Sequence, residues 1–177
     1  MPVSRRGFIG AGAAVSAAIT AGPAFAQNLK PRGKRAISGN QLLRIGVLTC
    51  HPAYHHMQNI WGPLIACTPM GGFTPTRMTG LELTHIWAHD PERVESYCRE
   101  FGTKPVSRYD GMVKLVDGVM LTDVRYMDDF PRLAEPYLRA GVPVLFNRPF
   151  VSNLGSAKKI VEMSQKHGTP FIAVSSW

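Results

Sequence analysis

The chain has 177 residues, with 20 Lys and Arg against 12 Asp and Glu and a net charge of +8. Six of the basic residues (Arg5, Arg6, Lys30, Arg32, Lys34 and Arg35) fall in the first 40 positions, so residues 41–177 hold 14 basic against 12 acidic groups, a net +2. The basic balance belongs to the amino-terminal stretch and argues against nucleic-acid binding by the folded part, while three cysteines, Cys50, Cys67 and Cys98, leave at least one unpaired and argue against a disulfide framework.

The first element is a leader. Paired Arg5 and Arg6 follow Ser4 and precede Phe8 and Ile9. An uncharged Ala/Gly/Ile/Val stretch then covers residues 7–20, and Ala24-Phe25-Ala26 forms a small-x-small cleavage signal. This is the twin-arginine pattern, and it predicts export across the bacterial membrane, by machinery that carries folded proteins, to a periplasmic or other extracytoplasmic location. The apolar stretch is shorter than the roughly 20 residues a bilayer span needs. Residues 27–40, with four basic residues, Pro31, Gly33 and Gly39 and no apolar periodicity, predict a flexible linker. Residues 41–177 remain for one domain with its own core.

That domain alternates short apolar runs with helical periodicity. Residues 42–49 predict a strand. Residues 55–65 predict a helix, with Met57, Ile60, Trp61 and Leu64 on one face, and residues 69–80 predict a Gly/Pro/Thr-rich loop. Residues 81–87 predict a second strand, alternating Leu81, Leu83, His85 and Trp87 against Glu82, Thr84 and Ile86. A helix then opens with Asp90 as N-cap, Pro91 at its first position and Glu92 in its first turn, and stops at Gly102. Further along, residues 104–107 predict a short strand, 110–115 a short helix, 118–122 a buried strand, 129–139 a helix ending before Gly141, and 143–146 a strand. A helix starting at Ser152, with Leu154, Ala157, Ile160, Val161 and Ser164 inward, closes at Gly168 before a last strand at 171–175. Six strands joined by helices predict an α/β fold, a doubly wound parallel sheet with helices on both faces.

Three stretches, HDPERVESYCREFG (89–102), VDGVMLTD (116–123) and YLRAGVPVLFNRPFVSNLGSAKKIVEMSQKHGTPFIAVSS (137–176), resemble the amino-terminal domain of the glucose-fructose oxidoreductase, inositol dehydrogenase and rhizopine-catabolism (Gfo/Idh/MocA) family. The resemblance covers essentially all of 42–176. It implies a Rossmann-like domain binding NAD(P), and a following second domain that supplies most of the substrate pocket and the acid-base residues for a sugar or polyol. Possible homo-oligomers belong to the same expectation.

By that resemblance the cofactor-binding positions are Thr49, Cys50 and His51 after the first strand, Ala88 after the second, Thr122 and Asp123 after the fourth, and Asn147, Arg148 and Pro149 after the fifth. The family's G-x-G-x-x-G/A turn falls on Thr49, His51 and Tyr54, all bulky, and by that alignment the imidazole of His51 would occupy space the pyrophosphate normally takes. The ribose-binding acid falls on Ala88; Asp90 lies nearby, but its own sequence context makes it a helix cap. The loop Asp123-Val124-Arg125-Tyr126-Met127-Asp128 stands where the family has T-P-N-x-x-H, and Asn147-Arg148-Pro149 replaces E-K-P. Arg148 is the one candidate catalytic residue. A guanidinium stays charged and is a poor proton shuttle, but it can clamp a carboxylate, phosphate or sugar hydroxyl; it can equally tie its loop to Asp123.

Cys50, His51, His55 and His56 crowd the turn after the first strand, and His85 or His89 could join them. Pro52 breaks the helical spacing a shared metal would need, and no metal site is assigned. Trp61 and Trp87 sit in apolar patterns that suit a core. The changed motifs leave a second reading open, in which the scaffold is a carbohydrate- or anion-binding module without a redox cofactor. A nonfunctional truncated product is a third.

Overall fold

The computed structural model describes residues 42–48, 80–147 and 149–174. The leader and linker, the helix expected at 55–65 and the histidine-rich turn lie outside the described residues.

Six strands form one parallel sheet: β1 (Leu43–Leu48), β2 (Leu81–Trp87), β3 (Lys104–Pro105), β4 (Gly118–Leu121), β5 (Val144–Asn147) and β6 (Phe171–Val174), in the order β3-β2-β1-β4-β5-β6. Chain direction across the sheet reverses at β1. With right-handed crossovers, that reversal sends the later helices to the face opposite the earlier one. Helix α1 (Pro91–Phe101) buries Tyr97 and Phe101 against Val47, Leu83, Ile86 and Met120. Helices α2 (Phe130–Ala140) and α3 (Leu154–His167) cover the other face, where Leu133, Tyr137, Leu138 and Ile160 pack with Leu48, Val119, Leu121, Val144 and Phe146. The expected doubly wound architecture is therefore the one observed.

The helix ends follow local chemistry. Asp90 accepts a hydrogen bond from the Glu92 amide at 3.1 Å, so it acts as the cap the sequence suggested. Gly102, Gly141 and Gly168 end α1, α2 and α3 with left-handed φ of +68°, +79° and +63°. At β3, Pro105 sits on the sheet edge, where its missing N–H interrupts no ladder.

Local pattern misled at three places. Leu83 and Ile86 are the buried residues of β2, where strict alternation put them on opposite faces. The register explains this: Ile45 pairs with Leu83 but Gly46 with His85, so Thr84 is an extra residue and the pattern shifts by one across it. Residues 108–115 form successive three-residue turns (Gly111 to Arg108, Val113 to Asp110, Leu115 to Met112) in place of the expected helix, too short a stretch to hold a helix without its own nucleus. Finally, α3 starts at Leu154. Asn153 caps it by accepting from the Ser156 amide at 2.8 Å, and the Ser152 hydroxyl instead donates to Asp128.

Candidate functional site

In an open parallel sheet, ligands bind outside the carboxyl ends of the strands where chain direction reverses, because the loops there part to opposite faces. Here that point lies between β1 and β4. Of the residues assigned to a site from sequence, Ala88, Thr122, Asp123 and Asn147 gather along this edge and are all buried, while Pro149 is exposed. Thr49, Cys50, His51 and Arg148 lie outside the described residues.

After β4 the chain makes a 3-10 helix (Val124–Asp129) before α2. Asp123, at 1% exposure, sets its start. The carboxylate accepts from the Arg125 amide at 3.0 Å and is held by the same residue's guanidinium at 3.1 Å (Nε) and 2.7 Å (Nη2). Burial of a carboxylate is tolerable when it is paired and hydrogen-bonded in this way. Arg125 is held protonated by its bond to Asp123, and its guanidinium lies 5.3 Å from the centroid of the Tyr126 ring.

Beyond β2, His89 lies between aromatic rings. It stacks on Tyr126 with centroids 3.6 Å apart and planes at 15°, and it meets Trp87 edge-on at 4.7 Å. Its Nε2 is 3.3 Å from Asp129 Oδ2, and its Nδ1 is buried with no hydrogen-bond partner among the described residues. Asp129 is also clamped by the Arg132 guanidinium. That bond, helped by His89 and opposed by burial, holds the carboxyl below the usual carboxylate range. Arg132 in turn lies 4.6 Å from the centroid of the Tyr109 ring.

Sequence reasoning did not find the His89–Asp129 pair, whose members are 40 residues apart with no shared motif. It noted Tyr126 only as part of a loop. The histidines considered as extra metal ligands have other neighbours: His85 is 3.0 Å from the Thr84 hydroxyl and His89 is beside Asp129. Among the described residues no helix is long and apolar enough to cross a membrane.

A six-stranded parallel sheet of this order, with a polar edge at its switch point, is the Rossmann-like doubly wound α/β arrangement. The model of the oxidoreductase family with an NAD-binding Rossmann fold (Gfo/Idh/MocA) matches residues 5–174, and the chain belongs to that family. Similar solved structures include apo scyllo-inositol dehydrogenase from Lactobacillus casei, at TM-score 0.59 and 17% identity over 76% of this chain and 37% of that one. The WlbA dehydrogenase from Chromobacterium violaceum, in complex with NADH and UDP-GlcNAcA, aligns at TM-score 0.62 and 15% identity over 77% of this chain and 36% of that one. Biliverdin reductase from Synechocystis, in complex with biliverdin and NADP+, aligns at TM-score 0.55 and 16% identity over 74% and 37%. At such identities the likeness is one of fold, and the chain spans 36–37% of the length of these three proteins. Comparison with curated proteins gives no match.

Membership brings NAD(P) as the family's cofactor. The described edge does not fit it in the usual pose. At the end of β2, where a carboxylate holds the ribose hydroxyls, stands Ala88, and the Asp90 carboxylate is engaged with the Glu92 amide and with Arg93 at 3.8 Å.

Proposed function

We propose that this chain is the nucleotide-binding part of an exported NAD(P)-dependent oxidoreductase acting on a sugar or polyol. The observation that carries the reading is the family match over residues 5–174 together with the strand order of the sheet. The sugar or polyol follows from the family resemblance and is in keeping with the inositol and UDP-sugar named for two similar structures. Export rests on Arg5, Arg6 and the Ala24-Phe25-Ala26 signal.

Calorimetry of the chain with NAD and with NADP tests the cofactor: saturable binding of either is expected, and no heat at millimolar concentration sinks it. Cell fractionation tests export, which should be lost when Arg5 and Arg6 are both changed to Lys; an unchanged distribution counts against the twin-arginine route.

A second reading, a carbohydrate- or anion-binding module without a redox cofactor, is favoured by one observation: Ala88 stands where the ribose-holding acid belongs and Asp90 does not replace it. Binding of a sugar or inorganic anion in the same calorimeter, with neither NAD nor NADP bound, selects it.

A further inference from the structure

The register of the sheet fixes which residue stands at the end of β2. Leu48 of β1 pairs with Trp87 of β2, so the two strands stop together and Ala88 is the first residue beyond them. In a dinucleotide-binding sheet that place belongs to an acid whose carboxylate accepts from the hydroxyls of the adenosine ribose, while a nearby arginine accommodates a ribose 2′-phosphate instead. Ala88 offers neither group, and it is buried at 8% exposure.

The charged residues around it are paired with one another. Asp90, two residues on, caps α1 through the Glu92 amide at 3.1 Å and lies 3.8 Å from the Arg93 guanidinium. His89 is 3.3 Å from Asp129, which Arg132 also clamps. After β4, Asp123 and Arg125 close on each other at 2.7 Å. To take a ribose hydroxyl, Asp90 has to leave the helix it caps. To take a phosphate, Arg125 has to leave Asp123 as a buried carboxylate without its guanidinium.

We propose that the end of β2 does not read the adenosine ribose, so that NAD and NADP bind this chain alike, and that residue 88 is the position at which selectivity for NAD would be restored by an acid. The inference rests on the dinucleotide reading above and concerns only how the ribose is treated. The diol finds no acceptor at position 88. The 2′-phosphate meets no carboxylate there to repel it, and among the described residues the arginines of these loops already face an acid.

Calorimetry of NAD and NADP on the full chain, as wild type and as Ala88→Asp, tests this. The two nucleotides should bind wild type with dissociation constants within about fivefold of each other, and Ala88→Asp should favour NAD by about tenfold or more, through hydrogen bonds to a charged group and repulsion of the phosphate. A larger preference of wild type for NAD means that another acid takes the diol, Glu92 in the first turn of α1 before any other. A larger preference for NADP means that a cation takes the phosphate. Either result overturns the inference and leaves the dinucleotide reading standing, as does an Ala88→Asp variant that folds, binds and does not discriminate. Should Ala88→Asp not fold, the wild-type ratio decides alone. If wild type binds neither nucleotide, the dinucleotide reading fails and the inference fails with it.

Discussion

His89, just beyond β2, is fixed by partners far away in sequence, Asp129 and Tyr126. Tyr137 shows the same dependence inside the core. It is fully buried on α2, and its hydroxyl donates to the Tyr109 carbonyl in the turn region before β4. Burial, with Asp110 adding, pushes its phenol well above the ordinary tyrosine range, so it remains a neutral donor at any working pH. Tyr137→Phe keeps the ring and removes the bond; it should lower stability by about 1 kcal/mol, measured by urea unfolding with an unchanged m-value. Nothing local pointed to Tyr109 as the partner of Tyr137.

At the level of elements, β1 depends on one missing side chain. A Cβ at Gly46 would fall inside contact distance of the Met112 sulfur and 3.1 Å from Val116 Cγ1, and Met112 is fully buried. Gly46→Ala should therefore cost about 1–3 kcal/mol by overpacking. The double variant Gly46→Ala with Met112→Ala should lose less than the sum of the two single variants, because the new methyl fills part of the space vacated; a strictly additive result in denaturant titrations would refute this clash. Helix ends were legible in the sequence because caps act over a few residues, as Asp90, Pro91, Gly102, Gly141 and Gly168 show. The β2 bulge was not, because an extra residue at Thr84 is defined only by pairing with β1.

For the molecule as a whole, acid sensitivity follows from two kinds of group. Burial, reinforced by Lys104 and Arg44, lowers the His85 pKa below its ordinary value. Between that lowered value and the roughly 6.5 of an unfolded histidine, the unfolded chain binds more protons, so stability falls as pH drops through this window. Asp129, held down chiefly by Arg132, adds stability that is present above the unfolded carboxylate range and is lost only as pH falls through its lower folded value. The melting temperature should accordingly begin to decline below about pH 6.5, and His85→Gln should flatten that first decline without altering the later one; an identical profile for the variant would remove His85 as its source.

From sequence alone came the strand count, the parallel α/β class, most helix limits and the family. These rest on periodicity, caps and ordered motifs, all of which act within one element or its neighbours. Tertiary structure alone decided that Thr84 bulges and that His89 meets both Tyr126 and Asp129. Those contacts are set by how strand ends line up across the sheet, and two loops 40 residues apart carry no local mark of the level at which they will meet.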